Sequence, residues 1–253
     1  MNTVPFMTLF TKETKRFFRV WTQTFVPPVL TAVLYILIFG VSIGSKIDTV
    51  NGVSYLQFII PGLVMMSVIM SSYANTSTSV YLAKFQGSIQ ELLISPMSNF
   101  SIVSAIILAG VVRGILVGSI VTIIASFFTD LVFVHPLMTM FFVVFVAIIF
   151  SAAGFITGIW AQNFDQMGIF STFLITPLIY LGGIFYSVSM LPTFWQHVST
   201  YNPMLYFING VRYGILGISD VDLRIAAVVI VVLAILTVGI SYQLYARGYR
   251  IKS

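Results

Sequence analysis

The chain has no cysteine. Disulfides, cysteine-zinc sites and thiol nucleophiles are excluded together. Charge is almost as scarce. Asp, Glu, Lys and Arg make up 8% of the 253 residues, against roughly a quarter in a soluble globular domain. There are two histidines, His135 and His197. They are far apart and lack an HExxH context, so no metal site is expected. No GxSxG-like elbow accompanies them, so intramembrane hydrolysis is not expected either. The P-loop pattern, GxxxxGK followed by Ser or Thr, is missing. The nearest approach is GVSIGSK at residues 40–46, with its lysine after the serine. Asp48, Asp130, Asp165, Asp220 and Asp222 all fall at the ends of apolar runs or between them. An ion- or proton-coupled carrier would need carboxylates or broken helices inside the membrane, and the carboxylates are lacking.

Apolar residues fill the space that charge leaves. Hydrophobic side chains make up 58% of the chain, and the mean hydropathy is +1.04. Six long runs stand out, at 25–44, 58–79, 102–128, 137–160, 168–186 and 225–245. A helix needs roughly 20 apolar residues to cross the hydrocarbon core. Lipid offers backbone groups no partner, so each run is expected to be helical. Ten-residue alternating segments, the mark of membrane strands, are absent. The expected fold is an all-α membrane protein with six transmembrane helices, forming one transmembrane domain over 1–253.

The pI of about 9.5 does not point to nucleic acid, because the basic residues flank the spans. Lys12, Lys15, Arg16 and Arg19 precede the first. Lys84 lies between the second and third, and Arg247, Arg250 and Lys252 follow the last. With six spans these loops share one side, which places both termini in the cytoplasm. Lys46, Arg212 and Arg224 fall on the other side. A cleaved leader is not expected: no A-x-A-like site follows the first apolar run, and that run is long enough to span.

Segments outside the spans carry their own patterns. Over 5–23, Phe6, Leu9, Phe10, Phe17 and Trp21 form one stripe, with Lys12, Lys15, Arg16 and Arg19 largely on the remaining surface. This predicts an amphipathic helix lying in the headgroup layer, bending into the first span at Pro27 and Pro28. In the loop 82–99, Phe85, Ile89, Leu92 and Leu93 recur on one helical face. Ser88 and Glu91 fit a capping box, and Pro96 stops the helix. Its polar positions are Lys84, Gln86, Gln90 and Glu91, fewer cations than a lipid-surface helix carries. A protein partner is therefore favoured over the membrane surface. The connection from 187 to 222 is too apolar for an ordinary loop, and the helical runs in it are too short to cross. They read as re-entrant or interfacial segments, with Trp195, Tyr201, Tyr206 and Tyr213 in the outer aromatic belt.

Two features inside the spans remain. Gly110, Gly114 and Gly118 form a GxxxGxxxG ribbon, and Gly154 and Gly158 a second one. They permit close helix approach, either within the chain or between subunits. Thr176 and Pro177 predict a kink in the fifth span. Arg113 is the one ionisable residue inside a span. It is a candidate for contact with an anionic substrate group, or a structural charge bonded to a neighbouring helix. Together these features describe a pore-forming membrane protein that draws its energy from a cytoplasmic partner. A channel or a non-transporting scaffold is the alternative.

The sequence resembles the type-2 ABC transporter permeases over nearly its whole length. The resemblance runs through KETKRFFRVWTQTFVPPVLTAVLYILIFG, YLQFIIPGLVMMSVI and AKFQGSIQELLISPMS. It continues in TPLIYLGGIFYSVSMLPTFWQHVSTYNPMLYFINGVRYGILG and in the closing ARGYRIKS. It implies that 83–97 is the coupling helix, with Glu91 and Leu92 central, and that the basic N-terminal segment is an interface helix. It also implies that 187–217 forms paired external re-entrant helices. Two copies of the chain would pair with two copies of a cytoplasmic ABC ATP-binding subunit, in a bacterial inner membrane. Substrate would pass between the two permease chains, along spans one, two and five. ATP and Mg would sit on the partner, leaving this chain without a cofactor or an enzymatic activity of its own. Export is the direction the resemblance favours.

Overall fold

The computed structural model of the protein describes residues 3–44 and 49–250. Lys46, Asp48 and Lys252 lie outside the described residues. Among the described residues, six helices are long and apolar enough to cross a membrane: Trp21–Ile43, Tyr55–Phe85, Asn99–Ala125, Pro136–Trp160, Phe164–Leu181 and Leu223–Ala246. Each overlaps one of the six expected runs, although the first, third and fifth helices end short of the expected Gly44, Phe128 and Tyr186.

The chain opens with α1 (Thr3–Arg19) and breaks at Val20, where φ is −111° and ψ is 42°. The buried Thr24 hydroxyl donates to the carbonyls of Phe17 at 3.0 Å and Val20 at 3.1 Å. This satisfies groups that the end of α1 releases. The bend expected at Pro27 and Pro28 therefore lies earlier, and both prolines sit inside α2 (Trp21–Tyr35), which continues as a π-helical stretch, Ile36–Ile43. A two-stranded hairpin, β1 (Thr49–Val50) and β2 (Val53–Ser54), turns at Asn51 and Gly52, both with positive φ. It leads into α3 (Tyr55–Phe85), where Ser54 and Gln57 form a capping box.

A second capping box, expected at Ser88 and Glu91, is not formed. Gly87 occupies the N-cap of α4 (Ser88–Ile94) with φ 75°, so Ser88 is already inside the helix. Its hydroxyl donates back to Ala83 O at 3.3 Å. The left-handed glycine turns the chain directly from α3 into α4, and no side-chain cap is used. Ser95 is extended ahead of Pro96 and ends the helix.

The remaining helices are α5 (Asn99–Ala125), α6 (Pro136–Trp160), α7 (Phe164–Ile169), α8 (Thr176–Leu181), α9 (Thr193–Thr200), α10 (Pro203–Leu216) and α11 (Leu223–Ala246). The fifth span is composite: α7 passes through a π-helical segment, Phe170–Ile175, into α8. Pro177 can offer no N–H there, and the Thr176 hydroxyl reaches back to Ser171 O at 2.8 Å.

At the centre lies α3. Its most apolar stretch is 78% buried, against 17% for the first span and 11% for the fifth. Both glycine ribbons face α3 of the same chain. Gly110 lies against Thr76, Gly114 against Ser72 and Gly118 against Val68, while Gly154 and Gly158 meet the α3 backbone at Tyr73 and Ser77. The ribbons therefore serve packing within the chain. On the far side of α6, α11 is tied in by the Ser241 hydroxyl, which donates to Ala152 O at 3.1 Å.

A Cβ at Gly154 would lie 2.5 Å from Tyr73 O and 3.0 Å from Ser77 N, and neither backbone atom can step aside. Gly154→Leu is expected to cost at least the ~1–3 kcal/mol of an overpacked core. Gly239→Ala, where nothing lies within 4 Å, is expected to be neutral or slightly stabilising. Thermal unfolding of the two variants in mild detergent checks the contrast.

Candidate functional site

Three places gather side chains that a simple membrane bundle does not require. The first is the end of the bundle that carries α4. Ile89 is buried at 4% exposure, and Leu92 and Leu93 pack against the core, so the apolar face of α4 is turned onto its own chain. Gln90, Glu91 and Ile94 point outward. Phe85 belongs to the last turn of α3, is largely exposed, and lies 6.1 Å from both the Tyr81 and Phe164 rings. Lys84 donates to Ile159 O and Ala161 O at 2.8 Å each, and Arg250 donates to Trp160 O at 2.8 Å. Both cations thus satisfy carbonyls released at the end of α6.

The N-terminal helix is pinned to α3 at the same end. Glu13 is buried and accepts from Ser79 at 2.5 Å and from Arg16 at 3.1 Å. Arg16 also donates to the Asn75 carbonyl at 2.9 Å and to its side-chain oxygen at 3.2 Å. Lys12, Lys15 and Arg19 are exposed, so of the four basic residues only Arg16 enters the bundle. Arg113, on α5, stands between Gly110 and Gly114. Its Nε is buried without a partner, and no described residue forms a hydrogen bond or ion pair with it.

The second place lies between α2, α3 and α8. A recess of about 220 Å³ is lined by Pro27, Pro28, Thr31, Tyr35, Met66 and Met70. Beyond it the hydroxyls of Tyr35 and Tyr180 share a 2.7 Å hydrogen bond. Phe39 stacks on Phe185 with centroids 4.4 Å apart, and Tyr55 donates to Phe185 O at 3.0 Å. The recess is thus closed at one end by an aromatic cluster drawn from the first and fifth spans and the segment after α8.

The third place is the opposite end, where α10 is buried among α3, α6, α8 and α11 and the more exposed α9 lies beside it. Arg212 has no exposed surface. It donates to Gly183 O at 2.6 Å and Asn209 Oδ1 at 3.2 Å, lies 3.7 Å from an Asp220 oxygen, and covers the Phe58 ring at 3.8 Å. Asp220 in turn accepts from Asn51 at 2.9 Å and Ser187 at 2.8 Å. Burial pushes the Arg212 guanidinium down to about 10, with Asp220 opposing the shift, so it remains a cation at neutral pH. His135 stacks on Tyr213 with centroids 4.7 Å apart. His197 lies on α9, and neither histidine belongs to a cluster of metal-ligating side chains among the described residues.

Sequence reasoning counted Arg212 as a loop charge and passed over Asp220 and Glu13 as partners. The available signal was Asn209 and Arg212 one turn apart in an otherwise apolar helix. The partners at Gly183 and Asp220 are distant in sequence and were not legible.

Comparison with known proteins bears on the whole chain. The family described as ABC-2 type transporter matches residues 5–216. The inner membrane transport permease YadH of Escherichia coli K12 is 45% identical over 250 residues, covering 99% of this chain and 98% of the relative. Nodulation protein J of Rhizobium leguminosarum bv. viciae is 26% identical over 207 residues, covering 78% of each chain. Its counterpart in Rhizobium meliloti is 23% identical over 185 residues, covering 73% of this chain and 71% of the relative.

Removing one side of the buried pair leaves the other uncompensated. Arg212→Leu is expected to destabilise the fold by about 3–5 kcal/mol. Arg212→Lys is expected to recover only part of this, because an ammonium cannot reproduce the planar contact with Phe58 together with the forked bonds. Thermal melts in the same detergent check both; an unchanged melt for Arg212→Leu would contradict a structural role.

Proposed function

The chain belongs to the ABC-2 type transporter family, and on that premise we propose that it is the membrane-spanning permease subunit of an ATP-driven exporter. It acts as a homodimer in a bacterial inner membrane, with both termini in the cytoplasm. A separate ABC ATP-binding subunit, in two copies, binds ATP and Mg and hydrolyses the nucleotide.

The observation that carries this reading is the construction of α4. Ile89, Leu92 and Leu93 pack it against the core, with α3 as its principal neighbour, while Gln90, Glu91 and Ile94 remain free to meet a partner. A push on α4 passes into α3, on which α5 and α6 rest and to which Arg16 and Glu13 of α1 are hydrogen-bonded. This is how a coupling helix at 83–97 transmits motion. Phe85 adds an exposed aromatic beside it, and Ser88 acts within the α3–α4 turn. The basic helix α1, with Lys12, Lys15 and Arg19 outward, is the interface helix along the membrane surface.

The first and fifth spans are the least buried in their own chain, at 17% and 11% apart from the equally exposed last span. In the proposed assembly α2, α3 and α8 border the translocation path. The recess at Pro27–Met70 opens to it, and the cluster of Tyr35, Phe39, Tyr180 and Phe185 closes it on the external side. The α9–α10 segment, locked by Arg212 and Asp220, caps that side as the re-entrant element.

With a C-terminal tag, mild solubilisation and crosslinking, a P-loop ATPase is expected to co-purify in equal amount. Glu91→Lys is expected to lower its recovery at least about tenfold, the effect of reversing a charge in a polar contact worth ~1.5–3 kcal/mol, while membrane insertion stays intact. Recovery of the wild type alone, or full coupling in Glu91→Lys, would remove the basis of the reading.

A further inference from the structure

Arg113 and Arg16 form a charge imbalance that the transport reading does not use. Arg16 reaches Asn75 of α3, and the glycines on either side of Arg113, Gly110 and Gly114, rest on Thr76 and Ser72, so the two like charges share one level of the bundle. The carboxylate beside them, Glu13, is already engaged by Arg16 and Ser79, and Arg113 has no partner among the described residues. The unpartnered buried atoms around this level are Ser71 Oγ, Ser72 Oγ, Asn75 Nδ2, Thr76 Oγ1 and Ser151 Oγ. None belongs to an acid. The level offers hydroxyls, an amide and positive charge, with no free counter-charge among the described residues.

Its depth is defined by α3. From Tyr55 to Asn75 the helix runs about 30 Å, the thickness of one hydrocarbon core. Gly110 and Gly114 flank Arg113 and rest on Thr76 and Ser72, which puts the guanidinium at that same level. With α1 read as the helix of the headgroup layer, this is where a headgroup of the leaflet on the α4 side would reach Arg113 and Arg16. On the face of α5 that carries Arg113, Ile120 and Ile124 follow at i+7 and i+11. They form one wall of a groove of about 290 Å³, and Phe25, Val29 and Val33 of α2 form the other. The groove is lined only by apolar side chains, and its α5 wall begins two turns beyond Arg113.

We infer that Arg113 and Arg16 hold the headgroup of an anionic phospholipid, whose acyl chain lies in the apolar groove between α2 and α5. Arg113 and the α5 wall of the groove share one helix face two turns apart, a separation that a lipid's headgroup and acyl chain can span and a soluble anion does not need. Basic pockets between membrane helices bind anionic headgroups in this way. A zwitterionic headgroup is disfavoured, because its cationic end would meet two arginines while the one carboxylate beside them, Glu13, is already paired.

The test uses the full-length protein in mild detergent, with bound lipid counted by native mass spectrometry. The probes are phosphatidylglycerol, phosphatidylcholine with the same chains, and inorganic phosphate. Arg113→Gln removes the charge; Val29→Trp fills the groove and leaves both arginines in place. The wild type is expected to retain phosphatidylglycerol selectively, and each variant to retain it roughly tenfold more weakly, the worth of one charge-assisted contact. Equal retention of phosphatidylcholine, or competition by inorganic phosphate at equal concentration, would overturn the lipid assignment. So would undiminished phosphatidylglycerol in either variant. If Arg113→Gln does not fold, Val29→Trp decides alone: lost lipid supports the site and retained lipid overturns it.

Discussion

Helices in lipid gain little by hiding apolar surface from one another, since lipid tails are as apolar as leucine. They stay together through close packing and shared polar contacts. This bundle meets that condition along α3, where glycines of α5 and α6 bring three helices into near contact. Much else follows from it. Because α5 and α6 occupy two sides of α3, its Ser, Thr and Asn side chains face protein instead of lipid, and α1 is recruited to the same surface through Glu13 and Arg16. The first and fifth spans are left with broad exposed faces.

The two ends of the bundle solve the problem of polar groups differently. At the α4 end, cations meet carbonyls: Lys84 and Arg250 finish α6, and Arg16 reaches the backbone of Asn75. Residues that set topology by their charge therefore also terminate helices. At the opposite end a single arginine is withdrawn completely. Arg212 gathers α10, the segment after α8, Phe58 of α3 and, through Asp220, the hairpin at Asn51. A buried pair of this kind contributes little net stability compared with an apolar replacement, yet is costly to break. Its effect here is to fix four separate segments in one arrangement.

The six spans were legible because length and hydropathy alone define them. Their ends were not, because helices continue with polar residues past the apolar run. The second span, expected at 58–79, extends from Tyr55 to Phe85. Of two similar cap patterns, Ser54 with Gln57 forms the box and Ser88 with Glu91 does not; the difference is Gly87, whose left-handed turn makes a cap unnecessary. The apolar residues of α4 were legible as a face, but the direction of that face was not, since Ile89, Leu92 and Leu93 turn inward. Glu13 looked like one more surface charge among lysines. Only the position of α1 against α3 reveals that it is buried.

The π-helical stretches, Ile36–Ile43 and Phe170–Ile175, have a mechanical meaning. Each holds a surplus residue that a neighbouring turn can take up by exchanging one hydrogen bond at a time. They occur in the two spans that flank the aromatic cluster, while α3, α5 and α6 keep regular helical pitch. The bundle is in effect a stiff stator of three helices with slack stored in two. Those two can lengthen, shorten or rotate locally without loosening the frame that holds them.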